Sequence, residues 1–454
     1  MSGSACFWFL TPGQVCNSLS GQQSLPNCHS SAANLSVAYA KPLITRSCMH
    51  SQEVSPANAE QSSPWAIFLI FLRLGMTSFG GPVAHLGYFR EEFVRRRRWL
   101  DEQGYADLVA LCQFLPGPAS SQVGIAIGLL RGGYRGSLAA WTGFTLPSAI
   151  ALVLFALGIS RWGDGLPDGL LHGLKIVAVA VVAQAVWGMA RNLCTDGLRI
   201  SIALVSACMV LLVAGVWTQL VVIIAAGLAG LLLFRPDDAS SLTPFRPRIG
   251  RTTGFLALLL FFALLLVLPA LAGATTSHAL ALLDSFYRAG SLVFGGGHVV
   301  LPLLQAEVVP PGWVSNDTFL AGYGAAQAVP GPLFTFSAFL GASMDNGNGA
   351  LVNALICLVA VFIPSFLLVY GALPFWDRLR ANRHMQATLI AVNAAVVGLL
   401  LAALYDPVWT SAIFGPRDFA LAIIALVALM VWKLPPWLVV LCGGIAGWLL
   451  AALS

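Results

Sequence analysis

The chain has 454 residues, of which 58% are hydrophobic and only 9% carry a charge, and its mean hydropathy is +0.81. Because soluble domains carry roughly 25% charged residues, this composition excludes an ordinary soluble protein and indicates one that crosses a lipid bilayer many times. The formal net charge of +5 is explained by arginines in cytoplasmic loops. The sequence has no basic patch with interleaved aromatic residues, so nucleic acid is not an expected partner.

Residues 1–64 differ in composition from the rest: they are rich in Ser, Asn, Gln and Ala and contain no acidic residue before Glu53. They lack the charged segment followed by an apolar segment that marks a secretory signal. We therefore interpret residues 1–64 as a disordered cytoplasmic tail. A transit-like segment, or a true translation start at Met49, is the alternative.

Cysteine and histidine side chains in this tail raise the question of a metal site. The residues concerned are Cys28, His29, Cys48 and His50. Their spacing fits no zinc motif, and the nine cysteines of the chain show neither CxxC spacing nor a disulfide framework. The sequence therefore predicts no metal and no other cofactor.

Hydrophobic runs follow the tail, and several approach the ~20 residues that a membrane-spanning helix needs. They lie at about 65–83, 105–130, 138–158, 170–190, 200–216, 218–234, 255–273, 279–297, 318–343, 350–372, 387–404, 418–433 and 437–453. The sequence therefore predicts an all-α polytopic integral membrane protein embedded in the lipid bilayer.

Two halves of the chain repeat the same motifs in the same order. FLRLGMTSFGG at 71–81 matches FYRAGSLVFGG at 286–296, QFLPGP at 113–118 matches QAVPGP at 327–332, and LPSAIALVL at 146–154 matches IPSFLLVYG at 363–371. We predict a first repeat at 65–234, a basic cytoplasmic linker with a connecting transmembrane helix at 235–278, and a second repeat at 279–454. Such repeats are typical of transporters whose site lies where the repeats meet.

Arginines indicate which loops face the cytoplasm. Arg90, Arg95, Arg96, Arg97 and Arg98 lie in the loop 84–104, and Arg131 and Arg135 follow the first PGP motif. Because both loops should be cytoplasmic, the segment between them is expected to enter the membrane, break at PGP and return. The entering arm of the FGG segment, 65–79, would be about 22 Å long as a helix, which is too short for a hydrocarbon core of ~30 Å.

These assignments predict two repeats of inverted topology, each with two re-entrant broken-helix hairpins, at FGG and at PGP, and about four spanning helices. One extra transmembrane helix at about 255–273 joins the repeats, so the second repeat starts outside. The loops 298–318 and 342–349, which would then be external, contain no lysine or arginine. The N-terminus is expected in the cytoplasm and the C-terminus outside.

The four predicted breaks define the candidate binding site. Irregular backbone inside a bilayer persists only where protein or a water-filled cavity surrounds it. Each break also begins a new helix, whose free N–H groups and dipole attract an anion without any metal. The candidate substrate-binding residues at the breaks are Ser78, Gly80, Gly81, Gln113, Pro116, Gly117, Pro118, Ser120, Gly295, Gly296, Gln327, Pro330, Gly331, Pro332 and Thr335. For the glycines, close packing of helices is the alternative.

Charged residues inside the predicted segments add to this site. Arg73 and Arg288 occupy equivalent positions; an arginine in a membrane marks a functional site by default, and its planar fork suits an oxyanion. No carboxylate is expected deep in a segment, since Asp284 lies near an end. Three further residues are candidates for coupling: Glu92, Glu307 and Lys175. Structural roles at helix ends, or snorkelling of the lysine, are the alternatives.

At these motifs the chain resembles the chromate ion transporter family in its long form with two homologous halves. The resemblance is carried by FGG after an arginine-bearing segment and by PGP preceded by Gln, each present in both halves over roughly 65–454. It implies a carrier of the cell inner membrane that exports chromate from the cytoplasm and confers resistance, with sulfate as the chemically similar anion. The second half has FGGGH where the first has FGGP, so the two sites are not interchangeable.

The sequence therefore predicts a secondary transporter of tetrahedral dianions, chromate first and sulfate second, and not an enzyme. A sulfate or other oxyanion permease working inward is the alternative. A membrane enzyme or a sensor is disfavoured, because no nucleophile–base pair and no soluble signalling domain is visible. Proton coupling, sulfate exchange and the membrane potential all fit as energy source, and a homodimer is one open alternative for the oligomeric state.

Overall fold

The computed structural model describes residues 62–162, 168–213, 218–235, 250–294, 297–344 and 349–452. Within these ranges the chain is helical and contains no strand, which confirms the predicted all-α fold. The predicted tail, apart from residues 62–64, and the predicted linker over 236–249 lie outside the described residues.

The first half contains seven helices in its described ranges. They are α1 (Pro64–Thr77), α2 (Gly81–Phe89), α3 (Glu102–Phe114), α4 (Ala119–Trp162), α5 (Asp168–Leu193), α6 (Gly197–Leu212) and α7 (Thr218–Leu233). A π-helical turn at Arg90–Arg96 extends α2. Helix α4 is broken at Gly132 and Gly133, where the φ angle of Gly133 is 63°, and it therefore consists of two arms.

The second half follows the same order after one additional helix, α8 (Arg251–Ala274). Its described helices are α9 (His278–Leu292), α10 (Val300–Val308), α11 (Asn316–Ala328), α12 (Phe336–Ala342), α13 (Ala350–Ala372), α14 (Trp376–Ala381), α15 (Arg383–Ala403), α16 (Pro416–Met430) and α17 (Pro436–Ala452). Short 3-10 turns at Gly297–Val299 and Leu333–Thr335 precede α10 and α12.

Side-chain caps start the helices at equivalent places in the two halves. Asp101 accepts a hydrogen bond from the Gly104 amide at 2.9 Å and begins α3, and Ser315 accepts one from the Thr318 amide at 3.1 Å and begins α11. Such caps satisfy amide groups that have no partner inside the helix. The sequence thus sets where the helix before each PGP motif begins.

Five helical stretches among the described residues are long and apolar enough to cross a membrane. They are Ala119–Arg161, Gly169–Leu193, Arg251–Ala274, Ala350–Leu379 and Arg383–Trp409. Shorter apolar helices of 10–17 residues accompany them, including α1, α6, α7 and α17. These lengths and compositions agree with a polytopic membrane protein.

Small residues let the helices of each half approach closely. Helix α1 packs on α4, and α9 packs in the equivalent way on α13. At Gly75 of α1 a Cβ atom would lie 2.6 Å from the Phe144 carbonyl oxygen, and at the equivalent Gly290 of α9 it would meet the Val361 carbonyl oxygen. Glycine at such contacts is the usual means of close packing between membrane helices.

The last two helices of each half pack on a helix of the other half. Helices α6 and α7 contact α15, and α16 and α17 contact α5. A hydrogen bond of 3.0 Å between His172 of α5 and Asp418 of α16 lies in the second of these interfaces. The two halves are therefore joined over long helix surfaces.

Candidate functional site at the helix breaks

The helices stop at each of the four glycine motifs. Helix α1 ends at Thr77 and α2 begins at Gly81, with Gly80 in the left-handed region at a φ of 99°. Helix α9 ends at Leu292, and the next helical turn begins at Gly297. Of the predicted site residues, Gly295 and Gly296 lie outside the described ranges.

The two PGP motifs break the chain in the same way. Helix α3 ends at Phe114 and α4 starts at Ala119, while α11 ends at Ala328 and the next turn starts at Leu333. The φ angles are 118° at Gly117 and 102° at Gly331. Because side chains other than glycine rarely adopt such φ values, both breaks require glycine.

Backbone hydrogen bonds connect the breaks of one half to those of the other. The Gly117 amide donates to the Val293 carbonyl oxygen at 2.6 Å, and the Gly331 amide donates to the Ser78 carbonyl oxygen at 2.9 Å. Ser78 and Val293 are equivalent residues, each directly before the Phe of an FGG motif. Each PGP break therefore contacts the FGG break of the opposite half. The two FGG breaks also adjoin, because a Cβ atom at Gly297 would lie 3.3 Å from Pro82 Cγ, so the four breaks lie together.

Two serines from proline-containing helices lie beside the PGP glycines. A Cβ atom at Gly117 would be 3.1 Å from Ser365 Oγ, and one at Gly331 would be 2.9 Å from Ser148 Oγ. Ser148 and Ser365 follow the prolines of the LPS and IPS motifs. Ser148 donates to the Thr145 carbonyl oxygen at 3.0 Å, whereas the Ser365 hydroxyl is fully buried and has no partner.

Polar side chains line the first PGP break. Gln122 Nε2 donates to the Pro116 carbonyl oxygen at 2.6 Å, and His85 Nδ1 lies 3.4 Å from Ser120 Oγ. Several buried polar atoms around the breaks have no partner: Ser78 Oγ, His85 Nε2, Ser121 Oγ, Gln122 Oε1, Thr145 Oγ1, Gln327 Nε2 and Ser365 Oγ. Since buried polar groups are nearly always hydrogen-bonded, these atoms indicate a place where water or a polar ligand binds.

The second PGP break is more apolar. Ser120 and Gln122 of the first break correspond to Phe334 and Phe336, which are buried. The Thr335 hydroxyl donates to the Pro332 carbonyl oxygen at 2.7 Å and is thereby satisfied within its own turn. The hydroxyl groups suited to an anion are therefore concentrated at the first break.

The two equivalent arginines of α1 and α9 have different surroundings. Arg288 Nη2 donates to Asp284 at 3.0 Å and to Glu307 at 2.8 Å, whereas the side chain of Arg73 is exposed. Glu92, which is equivalent to Glu307, accepts hydrogen bonds from Arg97 at 2.6 Å and from Arg96 at 3.2 Å.

The remaining predicted residues lie farther from the breaks or at their edge. Lys175 of α5 donates to Asp317 at the start of α11, at 2.9 Å, and so links the two halves. Gln113 is exposed and Gln327 is half-buried. In the described part of the chain, no group of three or more His, Cys, Asp or Glu side chains is placed to hold a metal ion.

Charges in the loop after α2 neutralise each other. Arg90 binds Glu102 through two hydrogen bonds of 2.8 and 2.9 Å, and the first of these contacts holds the pKa of the Glu102 carboxyl below its ordinary value. Partial burial raises the pKa of Glu92, but the hydrogen bonds and charges of Arg97 and Arg96 outweigh it, so this pKa also lies below its ordinary value. Both carboxylates are therefore ionised at neutral pH.

A protein-family model described as chromate transporter matches this chain twice, at residues 65–231 and 280–448. The chain belongs to the chromate transporter family. Both matched ranges contain one FGG motif and one PGP motif, so the predicted resemblance to this family is confirmed. The helix breaks described above are thus features of a chromate-transporter sequence.

Several proteins are similar to the chain over most of its length. It is 31% identical over 396 residues to the chromate transport protein of Pseudomonas aeruginosa, covering 84% of this chain and 91% of that protein. It is 28% identical over 384 residues to a probable chromate transport protein of Synechococcus elongatus, covering 83% and 93%. An uncharacterised transporter of Methanocaldococcus jannaschii is 30% identical over 344 residues, covering 74% and 82%.

Sequence reasoning missed four residues of this region. Ser148 and Ser365 belong to the matched LPS and IPS motifs, and their repetition beside a proline was the available signal. Gln122 had no such signal, because its equivalent is Phe336. Asp284 was placed near a helix end, yet it lies four residues before Arg288, which puts the two side chains on one helix face.

Proposed function

We propose that this protein is a secondary transporter of tetrahedral oxyanions and that chromate is its principal substrate. The observation that carries the proposal is the reciprocal pair of hydrogen bonds from Gly117 to Val293 and from Gly331 to Ser78. They bring four helix breaks together at one place, and free helix N-termini at such a place attract anions.

The chemistry of the first PGP break favours an anionic ligand. The break begins α4, and the buried hydroxyls of Ser121 and Ser365 have no partner; these are hydrogen-bond donors, as an oxyanion requires. Two of the similar proteins are named chromate transport proteins, which favours chromate among the tetrahedral dianions. Sulfate has the same shape and charge, so we expect it to compete.

We further propose that the two halves have inverted topology and that each FGG and PGP segment is a re-entrant hairpin. Supporting this topology, five arginines lie in the loop after the first FGG motif, and the equivalent loop 298–318 contains no lysine or arginine. The N-terminus then lies in the cytoplasm and the C-terminus outside. Alternating exposure of the site by rocking of the halves would follow.

The direction we propose is export of chromate across the cell inner membrane, which would confer chromate resistance. Arg73 and Arg288 are proposed to contact the substrate or to gate its path. The side chain of Arg73 is exposed at the surface of the helix assembly, where we propose that it meets the approaching anion. The ion-paired Arg288 would act on the opposite side of the site.

Transport by the purified full chain tests this proposal. The protein is reconstituted into liposomes that contain radiolabelled chromate, and release of the label is measured with and without sulfate inside the same liposomes. We expect release well above that of protein-free liposomes, and inhibition by sulfate. Release equal to that of protein-free liposomes under every imposed gradient would contradict the proposed function. Antibody access to a C-terminal tag in spheroplasts, whose outer membrane has been opened, tests the topology independently.

A further inference from the structure

Two carboxylates share a single arginine nitrogen in the second half. Asp284 Oδ2 and Glu307 Oε2 accept hydrogen bonds from the same atom, Nη2 of Arg288, at 3.0 and 2.8 Å. The side chains are only 10%, 13% and 17% exposed for Asp284, Glu307 and Arg288. We call these three residues the α9–α10 triad, because Asp284 and Arg288 belong to α9 and Glu307 to α10.

The charge of the triad does not balance. With both carboxylates ionised, the three groups carry one net negative charge inside an apolar helix assembly, where an uncompensated charge is costly. One bound proton would make the triad neutral. The triad therefore has two relevant protonation states, one with both carboxylates ionised and one with a single bound proton.

Other titratable groups near α9 do not supply the missing positive charge. Helices α8, α10 and α13 pack against α9. The titratable or charged side chains on these four helices, apart from the triad, are His278, Tyr287, Arg251, Cys357 and Tyr370. Helix α10 packs in addition on α11, α15 and the turn Gly297–Val299, whose titratable or charged side chains are Asp317, Tyr323, Arg383, His384 and His298.

Tyr287, Arg251 and His278 are engaged elsewhere or distant, and the thiol of Cys357 and the phenol of Tyr370 carry no positive charge in either protonation state. The Tyr287 hydroxyl donates to the Phe261 carbonyl oxygen at 2.9 Å. Arg251 lies ten residues before Phe261, about 15 Å away along α8. His278, the first residue of α9, packs its ring against Trp313 at 4.9 Å.

We propose that Asp284 and Glu307 hold one proton between them and that this proton moves through the membrane together with the oxyanion. The inference rests on the proposed function and assigns its coupling site. Arg288 lies five residues before Val293, about 7.5 Å along the chain, and Val293 accepts the hydrogen bond of Gly117. A negative triad repels a dianion at the nearby breaks, and a neutral triad does not. Proton and dianion therefore bind together. The pair carries one net negative charge, so an inside-negative membrane potential drives it outward, as the proposed export requires.

The first half has no equivalent of this proton site. The residue equivalent to Asp284 is Leu69, which has no carboxylate. Glu92 forms ion pairs with two arginines, Arg96 and Arg97, whereas Glu307 pairs with Arg288, which it shares with Asp284. Glu92 therefore stays ionised. Of the predicted coupling candidates, Glu307 is the one that binds a proton, with Asp284 as its partner.

The test uses the full-length protein in liposomes at alkaline pH, where chromate is the dianion, with the membrane potential clamped by potassium and valinomycin. An inward proton gradient should accelerate chromate uptake, and a pH-sensitive dye inside the vesicles should report protons entering with it. Asp284→Asn and Glu307→Gln should lose this acceleration while retaining exchange of labelled chromate at equal concentrations on both sides. Glu102→Gln, which alters an exposed carboxylate paired with Arg90, is the matched control and should retain it.

Several outcomes would overturn the coupling site. If the rate of wild-type chromate uptake does not change with the proton gradient, or falls when the gradient is inward, co-transport of a proton is excluded. The proposed chromate transport would still stand. No chromate flux under any gradient would instead contradict the proposed function itself. If either variant fails to fold, Asp284→Glu and Glu307→Asp replace it; they keep a titratable group and should shift the pH midpoint of transport. An unmoved midpoint counts against the proposal.

Discussion

The two FGG segments share a motif and differ in the contacts that their arginines make. Arg288 is bound by two carboxylates, whereas the equivalent Arg73 is exposed. The PGP breaks differ in the opposite sense, since polar Ser120 and Gln122 of the first correspond to Phe334 and Phe336 of the second. Under the proposed function, the first PGP break supplies polar side chains for the anion, and the second half holds the carboxylate pair that binds the proposed proton.

The two FGG segments also differ in the exposure of their side chains. Val83, three residues after Gly80, is 85% exposed, whereas the equivalent His298 is partly buried and lies 2.9 Å from the Tyr323 hydroxyl. The first FGG segment is therefore open at a place where the second is packed.

Substitution at the PGP glycines should have the largest effect and would show whether both breaks are needed. In Gly117→Val and Gly331→Val the new side chain must adopt a φ above 100° and would meet Gln122 Nε2 at 2.6 Å or Ser148 Oγ at 2.9 Å. Backbone strain alone costs about 1–3 kcal/mol. We expect at least a roughly tenfold loss of chromate flux in both variants.

The control is Gly312→Val, since Gly312 also has a positive φ, 76°, but no atom within 4 Å of its added Cβ. It should retain most of the flux. Full flux in Gly331→Val alone would mean that only the first break serves transport.

Substitution of Arg73 and Arg288, one at a time, tests whether the two equivalent arginines have different roles. Arg288→Gln leaves Asp284 and Glu307 without their shared donor, and loss of one partner of a buried ion pair costs about 3–5 kcal/mol. Arg73→Gln removes an exposed side chain, so thermal stability in detergent should be nearly unchanged. Chromate flux should be lost in both variants. Normal flux with Arg73→Gln would remove Arg73 from the substrate path.

Rescue distinguishes charge from packing in the second half. Adding Glu307→Gln to Arg288→Gln removes one of the two stranded carboxylates, so it should recover part of the lost thermal stability. No recovery would show that Arg288 stabilises the fold through packing of its side chain and not through its charge.

Ser148 and Ser365 lie beside the two PGP glycines, and their substitution tests whether the two breaks contribute equally to substrate binding. Ser365 has a buried hydroxyl without a partner, and a hydrogen bond to a charged ligand is worth about 1.5–3 kcal/mol. Ser365→Ala should therefore raise the KM for chromate about tenfold without lowering stability. Ser148→Ala, whose hydroxyl already donates to Thr145, should change the KM by less than about twofold. Equal effects in steady-state flux assays would contradict an asymmetric site.

The smallest effect is expected at Glu92. Glu92 is only 12% exposed, but its partners Arg96 and Arg97 are 57% and 35% exposed, and ion pairs with such exposed partners contribute about 0.2–1 kcal/mol. Glu92→Gln should lower the unfolding temperature only slightly, and less in high salt. Because the pKa of Glu92 is lowered in the folded protein, this small stabilisation is present at neutral pH and is lost as the pH falls through that pKa. A large loss of stability would show that Glu92 has a role like that of Glu307.

The sequence predicted the all-α membrane fold and the family, because long apolar runs and paired FGG and PGP motifs are local signals. It did not predict the hydrogen bonds from Gly117 to Val293 and from Gly331 to Ser78, since backbone contacts between distant segments depend on packing. Arg73 and Arg288 looked equivalent because their neighbouring residues match. The difference between them depends on Leu69 against Asp284 and on the carboxylates of the next helix, because Glu307 binds Arg288 whereas Glu92 binds Arg96 and Arg97.

The last helix pair of each half packs on the other half, so the two halves depend on each other for folding. Helices α16 and α17 pack on α5, and α6 and α7 pack on α15. The last two helices of each half therefore cover a helix of the other half. A half made alone would leave a long apolar helix surface unpaired. The unit that was duplicated is therefore not the unit that folds, and the chain is built like an interlocked dimer whose two subunits have been fused.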